Sequence, residues 1–131
     1  MAPVASDAAA PPGRDAARAR IEREYARDLT IAELAATARC SAFHFIRAFR
    51  RAYDITPARA LRRRRLERAR ELLTATPAPV TEICEAVGYG SLGTFSREFR
   101  RETGESPTAY RRRTRKPVYV PGCFLRMHRV D

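Results

Sequence analysis

At 131 residues the chain has room for one compact domain or two very small ones, and none for a large enzyme with a regulatory module attached. Lys and Arg number 26 against 15 Asp and Glu, a formal net charge of +11, and Lys116 is the single lysine. That balance points to a polyanionic partner, nucleic acid before an acidic membrane surface, and arginine suits bidentate contact with phosphate and guanine.

In chain order, "MAPVASDAAAPPGR" (residues 1–14) reads as a disordered arm, too interrupted by Asp7 and Pro11-Pro12 for a signal peptide. Asp15 is the expected cap of a first helix, with Ala17, Ile21 and Tyr25 recurring every four residues. Thr30 and Glu33 form the T-x-x-E pattern of a capping box, so a short helix starts there with Ile31, Leu34 and Ala35 on its apolar face. After a break at Arg39-Cys40, Ser41 caps the next helix. Thr56-Pro57 reads as a cap followed by proline at the first helical position of a long helix over residues 57–74, striped with Leu61, Leu66, Ala69, Leu72 and Leu73. "TPAP" at Thr76 to Pro79 stops it. The order then recurs: a short helix "VTEICEAV", a turn at Gly88-Tyr89-Gly90, Ser91 as cap, a longer helix, Ser106-Pro107 and a last short helix "TAYRRR". The tail over residues 116–131 places Pro121-Gly122 between "VYV" and "CFLRM", compatible with a short hairpin. The expected fold is therefore all-α, about seven helices over residues 15–115.

The recurrence holds in register. Glu33-Leu34-Ala35 matches Glu82-Ile83-Cys84 at an offset of 49, whereas Phe45, Arg47, Phe49, Arg50, Arg51 and Pro57 match their counterparts at an offset of 50. The extra residue falls at Gly90, where glycine tolerates an added kink. A short helix, a tight turn and a longer helix, used twice, describe two helix-turn-helix units over about residues 30–53 and 80–103, joined by the long helix.

On a helical wheel Phe45, Ala48, Phe49 and Ala52 fall on the core side of the first longer helix, and Phe43, Ile46, Arg47 and Arg50 on the opposite arc. In the second, Phe95 and Phe99 face inward and Gly93, Ser96, Arg97 and Arg100 outward. Each helix thus offers an arginine one turn in, as a helix lying in the major groove requires. The competing account pairs Arg47 and Arg97 with Glu67, Glu85 or Glu98. Ser41, His44, Arg50, Arg51, Ser91, Arg100, Arg101, Arg111 and Arg112, with Arg113 beside them, are expected phosphate contacts, which position without reading sequence. The run Arg62 to Arg65 reads as a solvated helix face. About 17 linker residues span roughly 25 Å, which places the two reading helices near one turn of B-DNA, roughly 34 Å, with the duplex bent if the spacing falls short.

These stretches, "LAATARCSAFHFIRAFRRAYDITP" and "ICEAVGYGSLGTFSREFRRETGESPTAYR", resemble the AraC/XylS family DNA-binding domain over roughly Asp15 to Arg113. The family's I-x-x-x-V-G-[FY] and F-S-R-x-F-[KR]-[KR]-x-x-G-x-S-P-x-x-Y-R are met by Ile83, Val87, Gly88, Tyr89, Phe95, Ser96, Arg97, Phe99, Arg100, Arg101, Gly104, Ser106, Pro107, Tyr110 and Arg111. The linker's R-L-x-x-A-x-x-L-L is met by Arg65, Leu66, Ala69, Leu72 and Leu73. The resemblance implies a bacterial, cytoplasmic, nucleoid-associated regulator, usually an activator, that recruits RNA polymerase to promoter DNA. It implies base contacts from Phe43, Ile46 and Arg47, and from Leu92, Gly93, Ser96 and Arg97. Two departures stand out. Those positions are poor in hydrogen-bonding groups, leaving Arg47 and Arg97 for guanine and Phe43, Ile46 and Leu92 for thymine methyls. Asp54 stands where Gly104 stands in the second unit and must take up the same turn less comfortably. The length matches the short members of the family without a sensor domain, so no effector domain is expected.

Two other readings are weighed. Apolar readers suit a weakly selective, DNA-bending architectural protein. Some DNA-repair alkyltransferases carry a related domain with a reactive cysteine followed by His-Arg-Val. Here Cys123 lies five residues before His128 and nothing fixes a thiolate partner, so no enzyme is expected. Cys40, Cys84 and Cys123 show no metal-ligand spacing, so neither metal nor cofactor is expected, and Cys40 and Cys84 fall at apolar positions where thiols are inert.

Overall fold

A computed structural model describes residues 10–115, which form seven helices and no strand. They are α1 (Arg14–Glu24), α2 (Ile31–Ala38), α3 (Ala42–Tyr53), α4 (Pro57–Ala75), α5 (Val80–Ala86), α6 (Leu92–Thr103) and α7 (Pro107–Thr114). None of the described helices is long and apolar enough to cross a membrane. Residues 1–9 of the expected arm, and the tail with the expected hairpin, Cys123 and His128, lie outside the described residues.

The end of the expected arm is packed against the fold. Pro11 and Gly13 are buried, and Gly13 N–H donates to the Ala38 carbonyl at 3.2 Å. A Cβ at Gly13 would sit 2.1 Å from the Thr37 carbonyl oxygen, so only glycine allows this approach. Gly13, not Asp15, is the cap of α1, and Asp15 lies in its first turn. There its carboxylate accepts from the Tyr53 hydroxyl, which holds it below the usual carboxylate range.

The other starts follow the sequence. Thr30 and Glu33 exchange the two bonds of a capping box at 3.1 and 3.2 Å. Ser41 Oγ accepts from His44 N–H at 3.1 Å, and Ser91 Oγ from Thr94 N–H at 3.2 Å. Thr56 and Ser106 cap α4 and α7 in the same way, each ahead of a proline.

Two cores result. Ile21, Leu34, Phe45 and Phe49 centre the first; Leu66, Leu73, Ile83, Phe95 and Phe99 centre the second. Phe45, Phe49 and Tyr53 meet edge to face at 5.6 and 4.6 Å. Ala52, expected in the core, is exposed. The Tyr53 ring continues the row from Phe49 instead, and the chain leaves the helix one residue later. In the second unit Tyr89, Phe95, Phe99 and Tyr110 form the corresponding row at 5.3, 5.7 and 5.4 Å.

The turns repeat down to their backbone bonds. Arg39 N–H donates to Ala36 and Cys40 N–H to Ala35; Gly88 N–H donates to Glu85 and Tyr89 N–H to Cys84. The left-handed residue is Arg39 in one turn (φ 65°) and Gly88 in the other (φ 97°). Gly90, where the sequence register places the extra residue, has an ordinary φ and open space around its Cα. The glycine that the second turn needs is Gly88.

The linker α4 has 19 residues and spans about 28 Å. Its arginine run is not the solvated face that the sequence suggested. Arg62 and Arg63 lie 3.3 and 3.5 Å from Glu98 and Glu102 on α6. Arg64 Nε donates to the Glu22 carbonyl at 3.1 Å, and Arg65 to the Tyr25 and Arg27 carbonyls at 2.7 and 2.8 Å. A helix flanked by α1 and α6 finds acceptors on more than one side, and four successive arginines spread around it to meet them.

Candidate nucleic-acid interface

The helices α3 and α6 each bury a Phe pair and turn the opposite arc to solvent. On α3 that arc carries Phe43, Ile46, Arg47, Arg50 and Arg51; on α6 it carries Leu92, Gly93, Ser96, Arg97, Arg100 and Arg101. Ile46 and Ser96 are half-buried and the others exposed. Among the described residues the only exposed large apolar side chains are Phe43, at 69%, and Leu92, at 44%. Both stand in the first turn of an outward helix, so the two apolar groups that the fold leaves in water occupy related places in the repeat.

The arginines sort by position. Arg14, Arg18 and Arg20 of α1 and the linker run Arg62 to Arg65 are engaged within the fold by ion pairs, carbonyls or rings, whereas Arg23 is exposed. Among the described residues no ion pair engages Arg47, Arg50, Arg51, Arg97, Arg100, Arg101 or Arg112. The competing account, pairing with Glu67, Glu85 or Glu98, thus does not hold for Arg47 and Arg97. The acids of α6, Glu98 and Glu102, turn toward the linker, and α3 has no acid at all. Each outward helix presents three arginines uncompensated by a neighbouring carboxylate, the electrostatic condition for holding a polyanion.

The central arginine is held differently in the two units. Arg47 lies over the Phe43 ring, 5.4 Å from its centroid. Arg97 lies back along its own helix toward the bare Gly93 backbone, with Nη2 3.4 Å from Thr94 Oγ1 and Nη1 3.6 Å from where a Gly93 Cβ would be. Thr94 and the anchoring acid Glu102 escaped the sequence reading, and Glu98, considered there as a partner of Arg47 or Arg97, pairs with Arg62 instead; the available signal was the i,i+4 spacing of the two acids beside the Phe95/Phe99 stripe.

The remaining expected contacts divide. Ser41 and Ser91 use their oxygens as caps and keep an O–H to donate. His44 is exposed on the first turn of α3. Arg112 is exposed, but its neighbours are engaged elsewhere. Arg111 donates to the Leu73 and Thr76 carbonyls at 3.1 and 2.9 Å, closing the end of α4, and burial pushes its pKa down. Arg113 sits 2.6 Å from Glu105 and over the Tyr110 ring. The position of Arg111 suits a brace better than a phosphate contact, because a helix end leaves carbonyls that need a donor.

The two described thiols, Cys40 and Cys84, are poorly disposed to act as nucleophiles. Burial pushes both Cys40 and Cys84 up, away from the thiolate, and Cys84 donates to the Tyr89 carbonyl at 3.7 Å. Among the described residues no group of three His, Cys, Asp or Glu could hold a metal ion.

Comparison with known proteins agrees with this geometry. A family model described as a helix-turn-helix domain matches residues 34–113. Regulatory protein SoxS of Salmonella typhimurium is 36% identical over 93 residues, covering 71% of this chain and 87% of SoxS. A probable AraC family transcriptional regulator from Rhodopseudomonas palustris superposes with a TM-score of 0.71 at 32% identity, over 79% of this chain and 98% of that one. The DNA-binding domain of AdpA, a global transcriptional factor solved in complex with a target DNA, superposes with a TM-score of 0.74 at 29% identity, over 77% and 91%. The chain spans about a third of the length of several other curated relatives it matches. Two cores, two equivalent turns and two outward arginine-bearing helices agree with the matched span, and the chain belongs to the AraC family of DNA-binding transcription regulators.

Proposed function

We propose that the protein regulates transcription as an activator, placing α3 and α6 in successive major-groove segments of one promoter duplex and engaging RNA polymerase there. The observation that carries the proposal is the set of three uncompensated arginines on each of those two helices, while the fold engages Arg14, Arg18 and Arg20 of α1 and the linker run Arg62 to Arg65 internally. Arg47 and Arg97 read guanine; Phe43, Ile46 and Leu92 touch thymine methyls; Gly93 and Ser96 let the backbone of α6 come close. Ser41, His44, Arg50, Arg51, Ser91, Arg100, Arg101 and Arg112 fix the register on phosphates. The linker, about 28 Å long, sets the helices near the pitch of the duplex, roughly 34 Å, and bending of the DNA takes up the difference.

Selection of binding sites from random duplex DNA with the purified protein tests this. A two-part motif bound at about 10⁻⁸ M or tighter near physiological salt is expected, against about 10⁻⁴–10⁻⁶ M for random duplex. A promoter reporter carrying that motif should rise when the protein is supplied. Repression of the reporter would remove the activator role alone. Failure of any motif to enrich, with strong bending of every duplex, would favour the weakly selective architectural reading, which the 69% exposure of apolar Phe43 supports.

A further inference from the structure

We infer that Arg65 is a positioning residue that locks the second reading helix to the first unit, and so sets the spacing between half-sites that the protein accepts. Three elements meet at its guanidinium. Its Nε donates to the carbonyl of Tyr25, the C-cap of α1, and its Nη2 to that of Arg27 in the turn beyond. A cation at the cap meets the negative end of the helix dipole. On its other side the group lies 5.8 Å from the centre of the Tyr89 ring, in the turn that leads directly into α6. The approach is close enough that a Cβ at Gly88 would lie 3.0 Å from Arg65 Nε and 3.1 Å from the Ala26 Cα.

The same junction is seen from α1. Ile21 is buried in the first core, whereas Tyr25, one turn later, packs against the second. The helix α1 therefore bridges the two units alongside the linker, and Arg65 fastens that bridge. A linker helix alone can bend or twist about its axis. Two parallel connections joined by bonds cannot do so without breaking them. The ion pairs of Arg62 and Arg63 hold α6 to the linker but do not reach the first unit, which leaves Arg65 as the side chain touching all three parts. Each base pair of DNA rotates the site by about 34°, so a rigid pair of helices accepts one spacing and rejects its neighbours.

The inference rests on the two-helix reading proposed above, and the experiment therefore has an arm that needs no DNA. Amide residual dipolar couplings are measured on the full chain for wild type and Arg65→Met. Wild type should fit a single alignment tensor across α3 and α6. Arg65→Met should keep each unit intact yet require two tensors. A single tensor that fits the variant as well as wild type overturns the inference. Arg65→Lys, which keeps the charge but not the forked pair of bonds, serves the same comparison with the same two outcomes if the methionine variant does not fold.

The second arm uses duplexes carrying both selected half-sites with the spacer changed by one base pair. Wild type should lose about tenfold in affinity and Arg65→Met only about threefold, with single half-site affinity unchanged. Equal losses in both proteins overturn the inference, since a merely destabilised variant would keep the wild-type spacing profile. A wild-type protein that distinguishes no duplex defeats the two-helix reading instead, and the dipolar couplings then decide the role of Arg65.

Discussion

The Arg47 guanidinium lies 5.4 Å from the centre of the Phe43 ring, one helical turn back on the outward face of α3. The ring is too exposed to be explained by the core, and it limits the directions in which the guanidinium can point. In the second unit Arg97 occupies the equivalent place over a glycine, so the two central arginines differ in how far they are held in advance.

Replacing either arginine should therefore be felt at one base position each. Arg47→Ala and Arg97→Ala are expected to weaken binding to the selected site by about 1–3 kcal/mol and to relax the preference at one position of the matching half-site. Thermal midpoints should stay unchanged, because neither side chain braces the fold. Titration against a panel of single-base duplex variants measures this. Equal loss against every sequence would make both residues phosphate contacts. Phe43→Ala should cost less than Arg47→Ala and should couple to it in a double-mutant cycle.

The two glycines of the second turn should behave oppositely. Gly88→Ala forces a side chain onto a φ of 97° and into contacts near 3 Å, and is expected to destabilise the protein by about 2–4 kcal/mol. Gly90→Ala meets open space at an ordinary φ and should stay within about 0.5 kcal/mol of wild type. Urea unfolding of the two variants side by side is the measurement.

The ends of α3 and α6 provide a matched pair. Asp54 adopts φ 61° at the end of α3, where Gly104 adopts φ 88° at the end of α6. Gly104→Ala should cost about 1–2 kcal/mol. Asp54→Asn keeps a residue that tolerates this conformation and removes a negative charge from a helix C-terminus, for an expected gain of about 0.3–1 kcal/mol. Melting curves at neutral pH and low salt check both signs.

Acid should loosen the first unit through Glu24. Its carboxylate accepts from Arg20 and, at 2.6 Å, from Arg27, and these bonds hold it below its ordinary value of 4.5. A depressed folded value means that the unfolded chain takes up the proton first as pH falls. The contribution is complete above about pH 4.5 and fades as pH drops through the folded value. The urea midpoint of wild type should exceed that of Glu24→Gln at neutral pH, and the two should converge in stronger acid.

Local signals carried much of the fold. Serine and threonine caps, the prolines after Thr56 and Ser106, and the doubled Phe pairs are short-range features whose meaning does not depend on partners far away. The outward faces of α3 and α6 were readable for the same reason, since a wheel needs only the helix itself. What escaped depends on encounters between distant segments. Nothing near Arg65 in sequence announces the Tyr25 carbonyl, and nothing near Arg111 announces Leu73. Gly88 and Gly90 look alike until the backbone decides which must turn left-handed. Gly13 reads as the end of a loose arm until the Thr37 carbonyl is seen against it.

Gly93 has a consequence for redesign. It sits on the outward arc of α6, and an added Cβ would meet only Arg97 Nη1 and Ser91 Oγ, at 3.6 and 3.7 Å. An ordinary side chain fits there without strain. Position 93 is thus a graft point: an asparagine or glutamine installed there would give up the close backbone approach that glycine allows, add an adenine-seeking group beside Arg97 and retarget the second half-site while the first is left as it stands.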